Sequence, residues 1–208
     1  MQPVNPELVA IQNEFRSAFS WSLDDDFESA VNLSKTCKNP SFKLKLSGVV
    51  TVVGAAAKPG VVSSNPIIAA DGAIGACEDL SQVVLVVSDA DGEPYLDRAI
   101  DAKIPICLHA HGDNQANWSA ALARWPSDHP IMLTHQTPMD IDKMFNPGGF
   151  TDGDRAVCIA FSLGADKVEL VGFDTQKVGK WSANTDLERK KVKLQWMERV
   201  LGILGLEV

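Results

Sequence analysis

Six short apolar runs, at residues 49–53, 67–70, 83–87, 104–108, 131–133 and 168–171, each end in a polar or glycine-containing turn, and this recurrence constrains the chain most. The intervening segments 93–102, 113–125 and 152–163 are long enough for helices. Strands alternating with helices predict an α/β fold, a mostly parallel sheet with helices on both faces. Sheets of that kind bind ligands beyond the carboxyl ends of their strands. The polar clusters lie there: Asp71-Gly72, Ser88-Asp89-Ala90-Asp91-Gly92, His109-Ala110-His111-Gly112-Asp113-Asn114 and Gly172-Phe173-Asp174 follow the runs directly. Several strand ends are therefore expected to converge on one site.

Ahead of the first run, Asn5-Pro6 is a cap followed by proline, and Leu8, Ile11, Phe15 and Phe19 recur at helical spacing. A polar stretch around Asp24-Asp25-Asp26 and a break at Asn39-Pro40 follow. The expected organisation is an N-terminal helical segment, residues 1–40, and an α/β domain, residues 41–208. The last helix is expected to begin at Thr185, with Glu188 at capping-box spacing. Arg189, Lys190, Lys191 and Lys193 crowd its first turns, where the helix dipole favours acids. They form a solvated face, or one or two of them reach a phosphate chain.

A formal net charge of -8 argues against nucleic acid or an anionic membrane as partner, since both reward a basic face. Cys37, Cys77, Cys107 and Cys158 are widely spaced and read as buried thiols, which points to a reducing compartment. Residues 1–20 lack a basic segment followed by an apolar one, and no stretch approaches the ~18 apolar residues of a membrane span. A cytoplasmic protein is expected, with a homodimer as the default assembly.

Asp89 and Asp91, one residue apart at a strand end, can turn toward a common cation, and magnesium commonly takes one or two carboxylates with phosphate oxygens and water. A plain Asp-Gly turn explains the same residues. His109 and His111 project to one side of a strand end and suit a transition metal, although only His129 and His135 remain to complete such a site. A structural role for His109 is the alternative, with His111 facing ligand. In Gly149-Phe150-Thr151-Asp152-Gly153-Asp154-Arg155, a glycine turn enters a helix that Gly164 closes. Thr151 or Asp152 is a natural cap, while the acids, the backbone N–H groups and the arginine also offer a metal ligand and a phosphate fork.

Taken in order, Ala70-Asp71-Gly72-Ala73, Asp89-Ala90-Asp91-Gly92, His109 to Asn114, Gly149 to Ala156, Leu170 to Asp174, Val178-Gly179-Lys180-Trp181-Ser182 and Arg189-Lys190 resemble the archaeal 6-hydroxymethyl-7,8-dihydropterin pyrophosphokinases. These are distant relatives of the thiamin pyrophosphokinases, whose catalytic-domain fold the resemblance implies. It covers roughly residues 45–195. The implied reaction moves diphosphate from ATP to a reduced pterin, giving AMP and the pterin diphosphate for folate or methanopterin-type coenzymes. By resemblance, Asp89, Asp91 and Asp152 hold Mg2+ and act in catalysis with His111. Asp71, Gly72, His109, Asp113, Asn114, Thr151, Asp154, Arg155, Asp174, Lys180 and Ser182 are the implied substrate-binding residues, Asp71 either joining the metal or facing the pterin. Two departures stand out: residues 54–60 replace a glycine-proline-serine turn, and Ser88 and Ala90 stand where threonine and leucine are usual.

Other readings share these motifs. A sugar-nucleotide transferase also uses an Asp-x-Asp pair, a thiamin pyrophosphokinase differs in substrate, and a nucleotide- or pterin-binding protein without turnover can share the fold. The guanidine-like edge of a pterin donates two parallel hydrogen bonds that a carboxylate accepts, and Asp113 and Asp174 both qualify.

Overall fold

The protein's structure, a computed structural model, describes residues 2–38, 40, 43–182 and 186–208. Strands β1 (Val49–Val53), β2 (Ile67–Ala70), β3 (Val83–Ser88), β4 (Ile106–Ala110), β5 (Ile131–His135), β6 (Met144–Phe145) and β7 (Lys167–Val171) form one sheet in the order β6-β5-β4-β3-β2-β1-β7. Every neighbouring pair is parallel. The helices are α1 (Glu7–Phe19), α2 (Leu23–Thr36), α3 (Leu96–Asp101), α4 (Gln115–Arg124), α5 (Asp152–Ser162) and α6 (Leu187–Ile203). The expected α/β sheet is present, and it is wholly parallel.

Successive strand residues point to opposite faces, so each apolar run feeds two cores. Ile67 and Ala69, Ile106 and Leu108, and Ile131 and Leu133 meet α2, α3 and α4 on one face. Ile68, Ala70, Leu85, Val87, Cys107 and Met132 meet α5 and α6 on the other. α1 forms a third layer, in which Leu8, Ile11 and Phe15 pack on Phe150, Cys158 and Val200. The four cysteines are buried thiols. Trp118 and Trp125 are buried in the core that α4 covers.

From β1 to β6 the chain steps steadily to one side, and α5 then carries it back across the opposite face to β7, on the far side of β1. The β1–β7 boundary is therefore where loops leave the sheet in diverging directions, the usual place for a crevice in such folds. Gly54 N–H donates to Val171 O (2.8 Å), Ala56 N–H to Gly172 O (2.9 Å), and Trp181 Nε1 to Ala57 O (2.8 Å). These bonds hold the 172–182 loop on the loop after β1. Gly172 permits it through φ +73° and because a side chain there would collide with Ala57.

The helix ends follow local chemistry. Asn5 Oδ1 accepts from Glu7 N–H (2.9 Å) at the start of α1, and Gly164, at φ +107°, ends α5. For α6 the first cap within the described residues is Asp186, which accepts from the N–H groups of Glu188 and Arg189; Thr185 and Asn39 lie outside them. The polar stretch at residues 24–26 is the first turn of α2, capped by Ser22, whose Oγ accepts from Asp25 N–H (3.2 Å).

α2 delivers Asp26 into the interior. One carboxylate oxygen accepts from Gly112 N–H (2.8 Å), both accept from Gln136 Nε2 (3.0 and 2.9 Å), and Arg16 Nη1 stands 3.3 Å from Oδ2. The N-terminal helices are thereby fixed to the loops after β4 and β5. Removing one partner of a buried ion pair leaves an uncompensated charge. Asp26→Ala should cost about 3–5 kcal/mol in urea unfolding, whereas the exposed neighbour variant Asp25→Ala should stay within about 0.5 kcal/mol. Equal midpoints for the two variants would show that the network carries no stability.

Candidate active site at the strand ends

Asp71 leaves β2 with φ +50° and Ala90 leaves β3 with φ +70°, left-handed conformations that non-glycine residues seldom adopt. Ser88 holds both turns: its Oγ donates to Asp71 Oδ1 (2.5 Å) and accepts from Ala90 N–H (2.8 Å). Gly92 lets the Asp71 carboxylate approach, since a side chain there would collide with it. Through these turns Asp71, Asp89 and Asp91 each offer a carboxylate oxygen within 4.8 Å of the others. Asp152, in the first turn of α5, lines the same cavity and pairs with Arg155 Nη1 (3.2 Å).

The cavity has a volume of ≈ 300 Å³ and draws its wall from the ends of β1 to β5 and β7 and from α5 and α6. His111 sits between two acids, with Nε2 3.1 Å from Asp89 Oδ2 and Nδ1 2.6 Å from Asp113 Oδ1. Asn114 braces the turn: its amide donates to Asp89 O (3.0 Å) and His109 O (2.8 Å), and its Oδ1 accepts from His111 N–H (3.0 Å).

Charge crowding shifts the acids in opposite directions. Burial, then the charges of Asp152 and Asp89, raises Asp71 well above the usual carboxylate range. Burial and the Asp89 charge bring Asp91 to about 6 and Asp152 to about 8. Burial acts on Asp89 in the same sense, but its bond to His111 and the histidine's charge outweigh it and take Asp89 to about 2. The reciprocal effect on His111 runs against burial: its bonds to Asp113 and Asp89 carry it to about 9. Asp113 is held at about 2 by that same bond.

Asp71, Asp89, Asp91, His111, Asp113, Asn114, Thr151, Asp152, Arg155, Asp174 and Ser182 all line the cavity. Gly72, His109, Asp154 and Lys180 lie off its wall. His109 is buried, with Nδ1 3.1 Å from Thr134 Oγ1 and Nε2 3.4 Å from Gln136 Oε1. Asp154 is the N3 member of a capping box: its carboxylate accepts from Phe150 N–H (2.9 Å) and Thr151 N–H (2.6 Å). Gly72 sits against the Trp181 carbonyl, and exposed Lys180 lies over the Trp181 ring, 4.6 Å from its centroid. The resemblance groups Asp89, Asp91 and Asp152 on the cation, whereas the geometry groups Asp71 with the Asp89–Asp91 pair and sets Asp152 against Arg155.

Sequence reasoning did not single out Trp21 or Gln136 on the cavity wall, and named Phe173 only within the Gly172-Phe173-Asp174 cluster. Trp21 arrives from the α1–α2 corner, and only packing places it there. Ser88, noted as part of the strand-end cluster and as a departure but not as a site residue, orients two acids. Its position immediately before the Asp89–Asp91 pair was the available signal.

A wholly parallel α/β sheet with an acidic cluster at its carboxyl edge, which could hold a divalent cation, defines an α/β protein with a candidate ligand site at its strand ends. No family model matches the sequence. The chain is 40% identical over 131 residues to the 6-hydroxymethyl-7,8-dihydropterin pyrophosphokinase of Pyrococcus furiosus, covering 61% of this chain and 54% of that one. It is 34% identical over 152 residues to the protein of that name from Methanothermobacter thermautotrophicus, covering 66% and 62%. With the Methanocaldococcus jannaschii protein of the same name, identity is 31% over 190 residues, covering 78% and 76%. The chain thus belongs to the 6-hydroxymethyl-7,8-dihydropterin pyrophosphokinase family, while spanning only 54% and 62% of the first two relatives.

The charge pattern predicts a pH signature. Asp152 (about 8, from 3.8) and His111 (about 9, from 6.5) are raised, so each binds more protons folded than unfolded between those values. Stability therefore falls as pH rises through the interval. His129 and His135 are lowered, principally by burial, and act in the opposite sense below their ordinary 6.5. The thermal midpoint of the cation-free protein should therefore drop from about pH 7 to about pH 9. A saturating divalent cation should raise the midpoint and flatten the slope, and Asp89→Asn should abolish most of that effect. A slope unaffected by the cation would show that the cluster does not bind it.

Proposed function

We propose that the protein is a magnesium-dependent diphosphotransferase that moves the β,γ-diphosphate of ATP onto the hydroxymethyl group of 6-hydroxymethyl-7,8-dihydropterin, releasing AMP. The observation that carries this reading is Asp89 Oδ1, a buried oxygen without a hydrogen-bond partner inside a trio of carboxylates that can share one ion. Buried polar atoms are otherwise almost always satisfied. An all-carboxylate donor set suits a hard cation, and both His111 nitrogens are already engaged by acids. Asp71, Asp89 and Asp91 would hold Mg2+, with Asp152 beside them. When bound, the ion would neutralise charge on the phosphate oxygens. The names of the relatives supply the acceptor alcohol.

Diphosphoryl transfer is mainly positioning and charge stabilisation. The pterin hydroxyl oxygen forms a bond to the β-phosphorus, and the bond from that phosphorus to the α,β-bridging oxygen breaks, leaving its electron pair on AMP. His111, raised to about 9, is protonated at neutral pH and serves as a fixed positive partner of Asp89, not as a base. The hydroxyl proton passes to a carboxylate at the cavity; Asp152, at about 8, is itself largely protonated at neutral pH without an ion, and would accept the proton only once a bound cation holds it ionised. Asp113 and Asp174 are the carboxylates offered to the donor edge of the pterin. Asp113 is braced by His111, and Asp174 by the N–H groups of Gln176 and Lys177.

Incubation with ATP, Mg2+ and 6-hydroxymethyl-7,8-dihydropterin should yield AMP and pterin diphosphate in equal amounts by anion-exchange chromatography. Asp89→Ala should lower the rate by at least about 100-fold, the scale of losing an electrostatic transition-state contact. ATP breakdown independent of the pterin, or product only with thiamin or a sugar nucleotide, would refute the assignment.

A further inference from the structure

Phosphates in α/β sites are commonly cradled by backbone N–H groups of a glycine-rich loop or a helix N-terminus. Here several of those donors are already engaged. In the loop after β1, the N–H groups of Gly54, Ala56 and Ala57 donate to Val171 O, Gly172 O and Gly54 O. At the start of α5, the Asp154 carboxylate takes the N–H groups of Phe150 and Thr151, and the Thr151 side chain takes that of Asp154. A polyphosphate in this cavity would therefore draw on cationic side chains as well as on the cation.

α6 supplies them. Leu194, Met197 and Leu201 form the stripe that faces the core, and Lys190 continues that stripe one turn earlier, where the helix runs past the core onto the cavity. A core-directed position that carries lysine needs a compensating partner. Lys190 is half-buried, and Asp91, Asp71 and Asp152 lie close enough to act on its charge. Arg189 and Lys193 also line the cavity, each 5.5 Å from the centroid of the Trp21 ring. Such cation–ring contacts are weaker than a charged bond to phosphate. Lys191 turns outward and pairs with Glu188 (2.8 Å).

We propose that Lys190, flanked by Arg189 and Lys193, clamps the two terminal phosphates of the nucleotide, so that selection of a triphosphate over its monophosphate resides in α6 and not in the loop after β1. The clamp deepens the diphosphotransferase reading and rests on it for the identity of the ligand. The clamp lines the same cavity as the carboxylate trio and holds the group that is transferred, whereas the departing monophosphate leaves its reach.

The test measures binding of α,β-methylene-ATP, AMP and inorganic tripolyphosphate by calorimetry in the presence of Mg2+. Lys190→Met should weaken the ATP analogue and tripolyphosphate about 10- to 100-fold, the range for losing a hydrogen bond to a charged group. AMP should be unaffected, Lys190→Arg should recover most of the loss, and Lys191→Met should match wild type. Lysine acylation footprinting of the unmodified protein gives a readout independent of any variant's folding: tripolyphosphate should protect Lys190 and leave Lys191 reactive. Equal effects of Lys190→Met and Lys191→Met, or equal protection of the two lysines, would overturn the clamp. Wild-type binding of tripolyphosphate without the ATP analogue would instead overturn the nucleotide reading and leave the clamp standing.

Discussion

Carboxylates of Asp71, Asp89 and Asp91 held within 4.8 Å of one another at the strand ends repel, and Asp152 adds to that repulsion from α5. The molecule offsets it locally. His111 is held charged between Asp89 and Asp113, Arg155 is set against Asp152, and Lys190 extends from α6 toward the same acids. A divalent cation would relieve that repulsion further, because like charges in a low-dielectric site cost far more than in water. Burial and the Asp89 charge hold Asp91 and Asp152 far above the ordinary range, so that protons also relieve the crowding.

Holding four acids together requires rigid support, and two networks outside the acidic cluster provide it. Asp26 ties α2 to the turns after β4 and β5, which fixes the loop that carries His111 and Asp113. Trp181 ties the loop after β7 to the loop after β1, its N–H donating to Ala55 O and its Nε1 to Ala57 O. The departure at residues 54–60 thus serves a structural purpose: the loop acts as an anchor. Charge stabilisation passes to side chains, on the reading advanced for α6.

Much of the fold was legible because both faces of the sheet are covered, which leaves strands as uninterrupted apolar runs. The N-terminal helix and the helices at 113–125 and 152–163 were equally plain. Departures from expectation have specific causes. The strand expected at 104–108 is β4, Ile106–Ala110, because His109 satisfies itself inside the sheet with Thr134 and Gln136. α2 was hard to see because its buried face includes Asp26, Ser29 and Ser34. β6 has two residues, too few for a period.

By itself the sequence determined the parallel α/β architecture and the grouping of acids after the second and third strands, because periodicity and turn chemistry are local properties. It also carried the family likeness, since motif order survives in a linear string. Tertiary structure alone decided that Asp71 joins Asp89 and Asp91 and that Asp154 closes its own helix end. It likewise turned Lys190 inward and Lys191 outward. Those outcomes depend on helix rotation, left-handed turns and long-range hydrogen bonds, which bring together residues far apart in the chain.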